Sequence, residues 1–189
     1  MKTRHHGQKK YHLVNTDDDT NDDIYDINIP FESGHPKLWI VFEEGAVCGG
    51  AEHVGGTEQH FVDMMNERAA QIGCTNTHFV NASGLPDPDH YSTAHDMALI
   101  MREGLKNKKF RRIIGTTDYT IKPTNMNNES RVLHTHHPML APESSYHYDG
   151  CIGGKTGYTS EAGNTLVTAA EKNGTTYITV TMKAADLAV

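Results

Sequence analysis

Several marks of common function classes are missing from this sequence. In 189 residues it has one tryptophan, three cysteines and seven prolines. No apolar run approaches the roughly 18 residues that suggest a membrane-spanning helix, so no transmembrane segment is expected. Cys48, Cys74 and Cys151 are odd in number and lack zinc-knuckle spacing. A disulfide framework would leave one thiol over, so buried free thiols are the simpler reading. Thirteen histidines are many for this length, yet no HExxH is present. His134-Thr-His136 alone is a weak ligand pair, so solvated loop histidines and no metal are expected. A formal net charge of −7 disfavours nucleic acid or an anionic membrane as partner. The basic start, Met1–Tyr11, lacks the apolar stretch of a signal peptide. As written, the chain is expected to stay in the compartment where it is made.

The character of the sequence changes near residue 45. Met1–Gly45 holds nine acidic and five basic residues, with an acidic run at Asp17–Asp23 and few apolar side chains before Leu38. Such a composition buries too little surface to offset chain entropy, and the segment reads as largely disordered. A calcium loop starting at Asp17 fails because Asp22 stands where glycine is needed and Asn28 where a bidentate Glu belongs. Leu38–Phe42 fits a short buried strand or the start of a helix.

From Ala46 the signals become regular. Thr57 is a good N-cap with Glu58 in the first turn. Phe61, Met64, Met65, Ala69 and Ile72 then form a helical stripe, closed by Gly73. Residues 74–91 are rich in turn formers and predict a structured loop, in which Asp87, Asp89 and His90 serve turns rather than a metal. Thr93 and Asp96 resemble a capping box opening a helix with the stripe Met97, Ile100, Met101 and Leu105. A short helix near Lys108–Ile114 follows. Strands are expected at Asp118–Lys122, Tyr146–Gly157, Gly163–Ala169 and Thr175–Met182, with turns at Asn125–Asn128 and Lys172–Gly174. Helices followed by a meander of strands argue for an α/β fold of α+β layers, helices packed on an antiparallel sheet, and against a doubly wound one. Arg68 reads as a snorkelling side chain. The basic cluster Lys106–Arg112 reads as solvated surface.

The segment Asp149–Asn164 carries the chemistry. Its Lys155-Thr156-Gly157 triplet follows a strand and precedes a hairpin partner. An edge strand accepts an extended peptide through main-chain hydrogen bonds. Lys155 supplies a compact positive charge, the Thr156 hydroxyl can donate to a carboxylate, and Gly157 clears the approach.

Taken with Ala51–Glu58, Phe61–Asn66, the loop Gly73–His90 (ending Asn-Ala-Ser-Gly-Leu-Pro-Asp-Pro-Asp-His) and Ser92–Asp96, the chain resembles the serine-type D-alanyl-D-alanine carboxypeptidases, the low-molecular-mass penicillin-binding proteins. The likeness runs from about Ala46 to Met182, which divides the chain into a non-matching segment 1–45 and a partial domain 46–189. The resemblance implies an incomplete beta-lactamase/transpeptidase-like fold and no cofactor. It implies hydrolysis of peptidoglycan stem peptides ending in D-Ala-D-Ala, through an acyl-enzyme, outside the cytoplasm. In that family a Ser-x-x-Lys supplies nucleophile and base, a Ser-x-Asn supplies a relay hydroxyl and a substrate-holding amide, and Lys-Thr-Gly receives the terminal carboxylate.

Only the third motif is found here. None of the serines (33, 83, 92, 130, 144, 145, 160) has a lysine three residues on. Counting back from Ala51-Glu-His, the Ser-x-Asn positions fall on Phe42-Glu-Glu44. A phenyl ring cannot replace the hydroxyl, and the Glu44 carboxylate would repel the substrate's. The chain also stops before the family's closing strand and helix. The expected site is therefore substrate-binding Lys155, Thr156 and Gly157, with no catalytic residue. Loss of such a nucleophile costs about six orders of magnitude in turnover, so beta-lactams are not expected to acylate the chain and stem peptides should bind weakly. A non-catalytic peptidoglycan- or partner-binding module, or a gene remnant, is the alternative.

Overall fold

The computed structural model covers residues 44–123 and 128–184, with the short strands β1 (His12–Val14) and β2 (Ile24–Asp26) ahead of them. β1 and β2 pair antiparallel, Leu13 opposite Tyr25. The rest of the segment expected to be disordered, the Leu38–Phe42 run and most of the Asn125–Asn128 turn lie outside the described residues.

Helix α1 (Glu44–Gly55) packs against α2 (Glu58–Gln71). No helix is legible at α1 from sequence because glycines at 45, 49, 50 and 55 lower its propensity. Packing overrides that cost: Ala51 is buried, and a Cβ on Gly55 would lie 2.7 Å from the Phe61 nitrogen, so only glycine fits this corner. Thr57 caps α2 as expected, its hydroxyl accepting from the His60 N–H at 3.1 Å. Of the expected stripe, Phe61, Met65 and Ile72 are half-buried. Val62 and Ala69 are buried, whereas Met64 is exposed. Asn66 is half-buried too, and its amide clamps the next loop, donating to the Phe79 carbonyl and accepting from the Phe79 N–H, both at 2.8 Å.

α3 (Ala94–Gly104) opens at Thr93, whose hydroxyl accepts from the Asp96 N–H at 3.2 Å. The other half of a capping box is absent, since the Asp96 carboxylate turns to the preceding loop instead. α4 (Lys108–Ile114) starts at Asn107, which accepts from the N–H groups of Lys109 and Phe110. Arg68, read as snorkelling, bonds to Glu103 at 2.6 Å and to Gln71.

The strands form two further sheets. β3 (Asp118–Ile121) and β4 (Arg131–His134) make an antiparallel hairpin. β5 (Cys151–Thr159), β6 (Gly163–Lys172) and β7 (Thr175–Ala184) make an antiparallel meander in that order. The β6–β7 turn has φ 53° at Asn173 and 74° at Gly174, the left-handed pair that a two-residue hairpin requires. β5 begins at Cys151, later than the expected Tyr146, because residues before it close turns: the Cys151 N–H donates to the Tyr148 carbonyl at 2.8 Å. No disulfide joins the three cysteines, which are half-buried rather than buried. The core joins Met101 and Leu105 of the helices to Ala169 of β6, with Phe110, Ile114, Ile152, Val167 and Ile178 around them. α3 and α4 thus layer on one face of the sheet.

Candidate functional site

The order β5-β6-β7 leaves β5 with one edge that no strand uses among the described residues. Lys155, Thr156 and Gly157 lie on this edge strand, opposite Val167, Leu166 and Thr165 of β6. A bulge between Cys151 and Gly153 re-aims the strand just before them. Gly153 has φ +146°, and a Cβ there would collide with the Ile114 carbonyl at the end of α4. At this point the helix layer and the edge strand meet backbone to backbone, which fixes the height of the triplet.

Gly157 also has a reason within the sheet to be glycine. A Cβ there would lie 2.6 Å from the Thr165 hydroxyl, which donates to the Gly157 carbonyl at 3.1 Å. The neighbouring strand fills the space and ties down the backbone. Lys155 is exposed as a residue, but its ammonium folds back to donate to the Thr156 carbonyl. Loss of solvent around that ammonium lowers its pKa. The Thr156 side chain is half-buried. The triplet therefore offers a cation and a hydroxyl beside an unpaired strand edge, a combination able to hold the carboxylate end of an extended peptide.

Behind the strand stands a residue with no motif of its own. His137 is 3% exposed and its Nε2 lies 3.0 Å from the hydroxyl of Thr168, itself 1% exposed. A Cβ on Gly154 would sit 2.5 Å from that nitrogen, so the missing side chain admits the imidazole. Burial lowers the His137 pKa; its own backbone raises it, and the Lys155 ammonium lowers it further. This histidine was expected in a solvated loop. Only the spatial pairing of Gly154 with Thr168 reveals it, and that is not visible along the chain. His134 meets Asp118 at 2.6 Å across the β3–β4 hairpin.

The serines with described hydroxyl bonds serve loops. Ser83 donates to Asn81, Ser92 pairs with Thr77, and Ser144 accepts from the Tyr146 N–H. In the 74–91 loop the Asp87 carboxylate accepts from the Asp89 N–H at 2.8 Å, a turn role, and Asn81 accepts from the Gly84 N–H at 2.7 Å. Among the described residues no three His, Cys, Asp or Glu side chains converge as a metal site would require. None of their helices is long and apolar enough to cross a membrane.

The family model described as D-alanyl-D-alanine carboxypeptidase matches residues 37–186. DacF of Bacillus subtilis, a D-alanyl-D-alanine carboxypeptidase, is 35% identical over 130 residues, 69% of this chain and 32% of its own length. DacB2 of Mycobacterium tuberculosis, also a D-alanyl-D-alanine carboxypeptidase, is 37% identical over 128 residues, 65% of this chain and 40% of its own. The chain thus spans about a third of the length of these curated relatives. Among solved structures, a D-alanyl-D-alanine carboxypeptidase from Mycobacterium tuberculosis superposes with a TM-score of 0.66 at 33% identity, covering 77% of this chain and 52% of that one. A Streptomyces DD-transpeptidase gives 0.63 at 30% identity, covering 73% and 54%.

Proposed function

Because the chain belongs to the D-alanyl-D-alanine carboxypeptidase family, we propose that it retains the strand receiving the carboxylate of a D-Ala-D-Ala stem peptide but does not itself form an acyl-enzyme. The observation that carries this reading is Lys155-Thr156-Gly157 on the open edge of β5, in a sequence where no serine has a lysine three residues later. The edge supplies main-chain hydrogen bonds to an extended peptide, Lys155 and Thr156 hold its terminal carboxylate, and no activated oxygen stands in the sequence to attack the scissile carbonyl. One charge-assisted contact is worth about 1.5–3 kcal/mol, whereas millimolar affinity already takes about 4 kcal/mol. Binding at or weaker than the millimolar range follows.

Titrating the isotopically labelled chain with diacetyl-L-lysyl-D-alanyl-D-alanine, followed by NMR, tests the reading. Amide shifts along β5 that vanish in Lys155→Ala support it; no shifts at tens of millimolar peptide overturn it.

A further inference from the structure

We propose that Tyr158 is a specificity-determining residue of the β5 edge, selecting a long, amine-tipped side chain two residues before the C-terminus of a bound peptide. The proposal rests on the reading that this strand receives a terminal carboxylate, and it names the peptide class that the strand prefers.

The exposed stretch of β5 fixes where such a peptide ends. At the start of the strand the end of α4 packs backbone to backbone. Gly153 is buried, a Cβ there would collide with the Ile114 carbonyl, and a Cβ on Gly115 would lie 2.5 Å from the Ile152 carbonyl. Lys155 is the first exposed residue of the strand. Tyr158, three residues on, is 71% exposed, more than any other large hydrophobic side chain described. Asn164 of β6 stands opposite it on one side, and among the described residues no strand lies on the other.

A peptide whose carboxylate sits at Lys155 therefore has room only toward Thr159, which makes it antiparallel to β5. With its last Cα opposite Thr156, the carboxylate beyond reaches Lys155, and the penultimate residue lies opposite Gly157. The residue before that lies opposite Tyr158. Directly opposed side chains share a face of the sheet, with Cβ atoms about 4.5–5.5 Å apart. The register with β6 settles which face. Lys155 pairs with Val167, which packs on the helices, so by alternation Thr156 and Tyr158 lie on the face away from them. The phenol ring thus meets the side chain of an L-residue at this position, and the Lys155 side chain lies on the other face.

An aromatic ring takes an aliphatic stem by apolar contact and an ammonium through its quadrupole. In β5 and the turn after it, Lys155 and Glu161 are the charged residues, and Glu161 is exposed. The edge thus carries a cation at the carboxylate end and an anion past Tyr158. This polarity suits a C-terminal acid preceded by an amine, and lysine is the simplest side chain of that kind.

The test compares Nα-acetyl-L-lysyl-D-alanyl-D-alanine with Nα-acetyl-L-alanyl-D-alanyl-D-alanine on the full chain, reading Kd from β5 amide shifts at neutral pH. The lysyl peptide should bind about two- to five-fold tighter, and its stem methylenes should show nuclear Overhauser contacts to the Tyr158 ring. Tyr158→Ala, at an exposed site, should reduce the lysyl peptide to the affinity of the alanyl peptide and leave the latter unchanged. Tyr158→Phe should keep the preference. Equal affinities in the unmodified chain, a preference that survives Tyr158→Ala, or an equal loss for both peptides would overturn the inference while the carboxylate strand stands. If neither peptide shifts β5 amides at tens of millimolar, the carboxylate strand itself is wrong and the inference goes with it.

Discussion

The carboxylate of Asp96 accepts a hydrogen bond from the backbone N–H of Asn76 at 2.8 Å across twenty residues of chain. It also accepts from the Thr77 hydroxyl at 2.8 Å and meets His95 Nδ1 at 3.3 Å, while being 1% exposed. One side chain thus holds the loop that leaves α2 to the start of α3. Burial alone would raise its pKa, but the bonds from Asn76, Thr77, His95 and Thr75 outweigh burial and hold it below the usual carboxylate value.

A carboxyl depressed in the folded state stabilises the fold at pH values above its unfolded pKa, about 3.9. That stability is lost as the pH falls through the folded value. Thermal melts from neutral to strongly acid pH should show the loss, and Asp96→Asn should lower the neutral melting temperature while flattening the acid slope. An unchanged acid slope in Asp96→Asn would show that other carboxyls cause it.

Met101 joins α3 to β6 through Ala169 in the buried core. Met101→Ala leaves a cavity there and should cost about 2–5 kcal/mol, read from urea unfolding midpoints at constant slope. A cost below about 1 kcal/mol, the range of tolerated volume-conserving swaps, would mean that helices and sheet are not held together at this contact.

Gly154→Ala puts a methyl group against the Val167 carbonyl and 2.5 Å from His137 Nε2. The β5–β6 ladder has to shift, at about 1–3 kcal/mol. Hydrogen exchange should speed up at amides around Lys155 more than in α2. Uniform acceleration through the whole domain would contradict a local effect.

Much of the fold was legible where one residue governs one local geometry. Thr57, Thr93 and the Asn173-Gly174 turn act through their own backbone neighbourhood, so the helix starts and the last hairpin could be read directly. The Lys-Thr-Gly strand was legible for the same reason: a motif, a preceding strand and a following turn all lie within one stretch. What stayed hidden depends on contacts between distant residues. α1 forms despite its glycines because α2 covers it. Asn66 is half-buried because Phe79, thirteen residues on, supplies its partners. β4 gave no alternating apolar pattern because it belongs to a small, solvent-facing hairpin whose Val132 is exposed. His137 carries no signal at all until Gly154 and Thr168 are brought beside it.

The most direct test of a carboxylate-binding strand without an acyl acceptor is incubation with a fluorescent penicillin, followed by denaturing gel and peptide mass spectrometry. Acylation needs an activated serine, so no covalent adduct is predicted on any of the seven serines. A penicilloyl serine that disappears on prior heat denaturation, or under excess unlabelled penicillin, would contradict it.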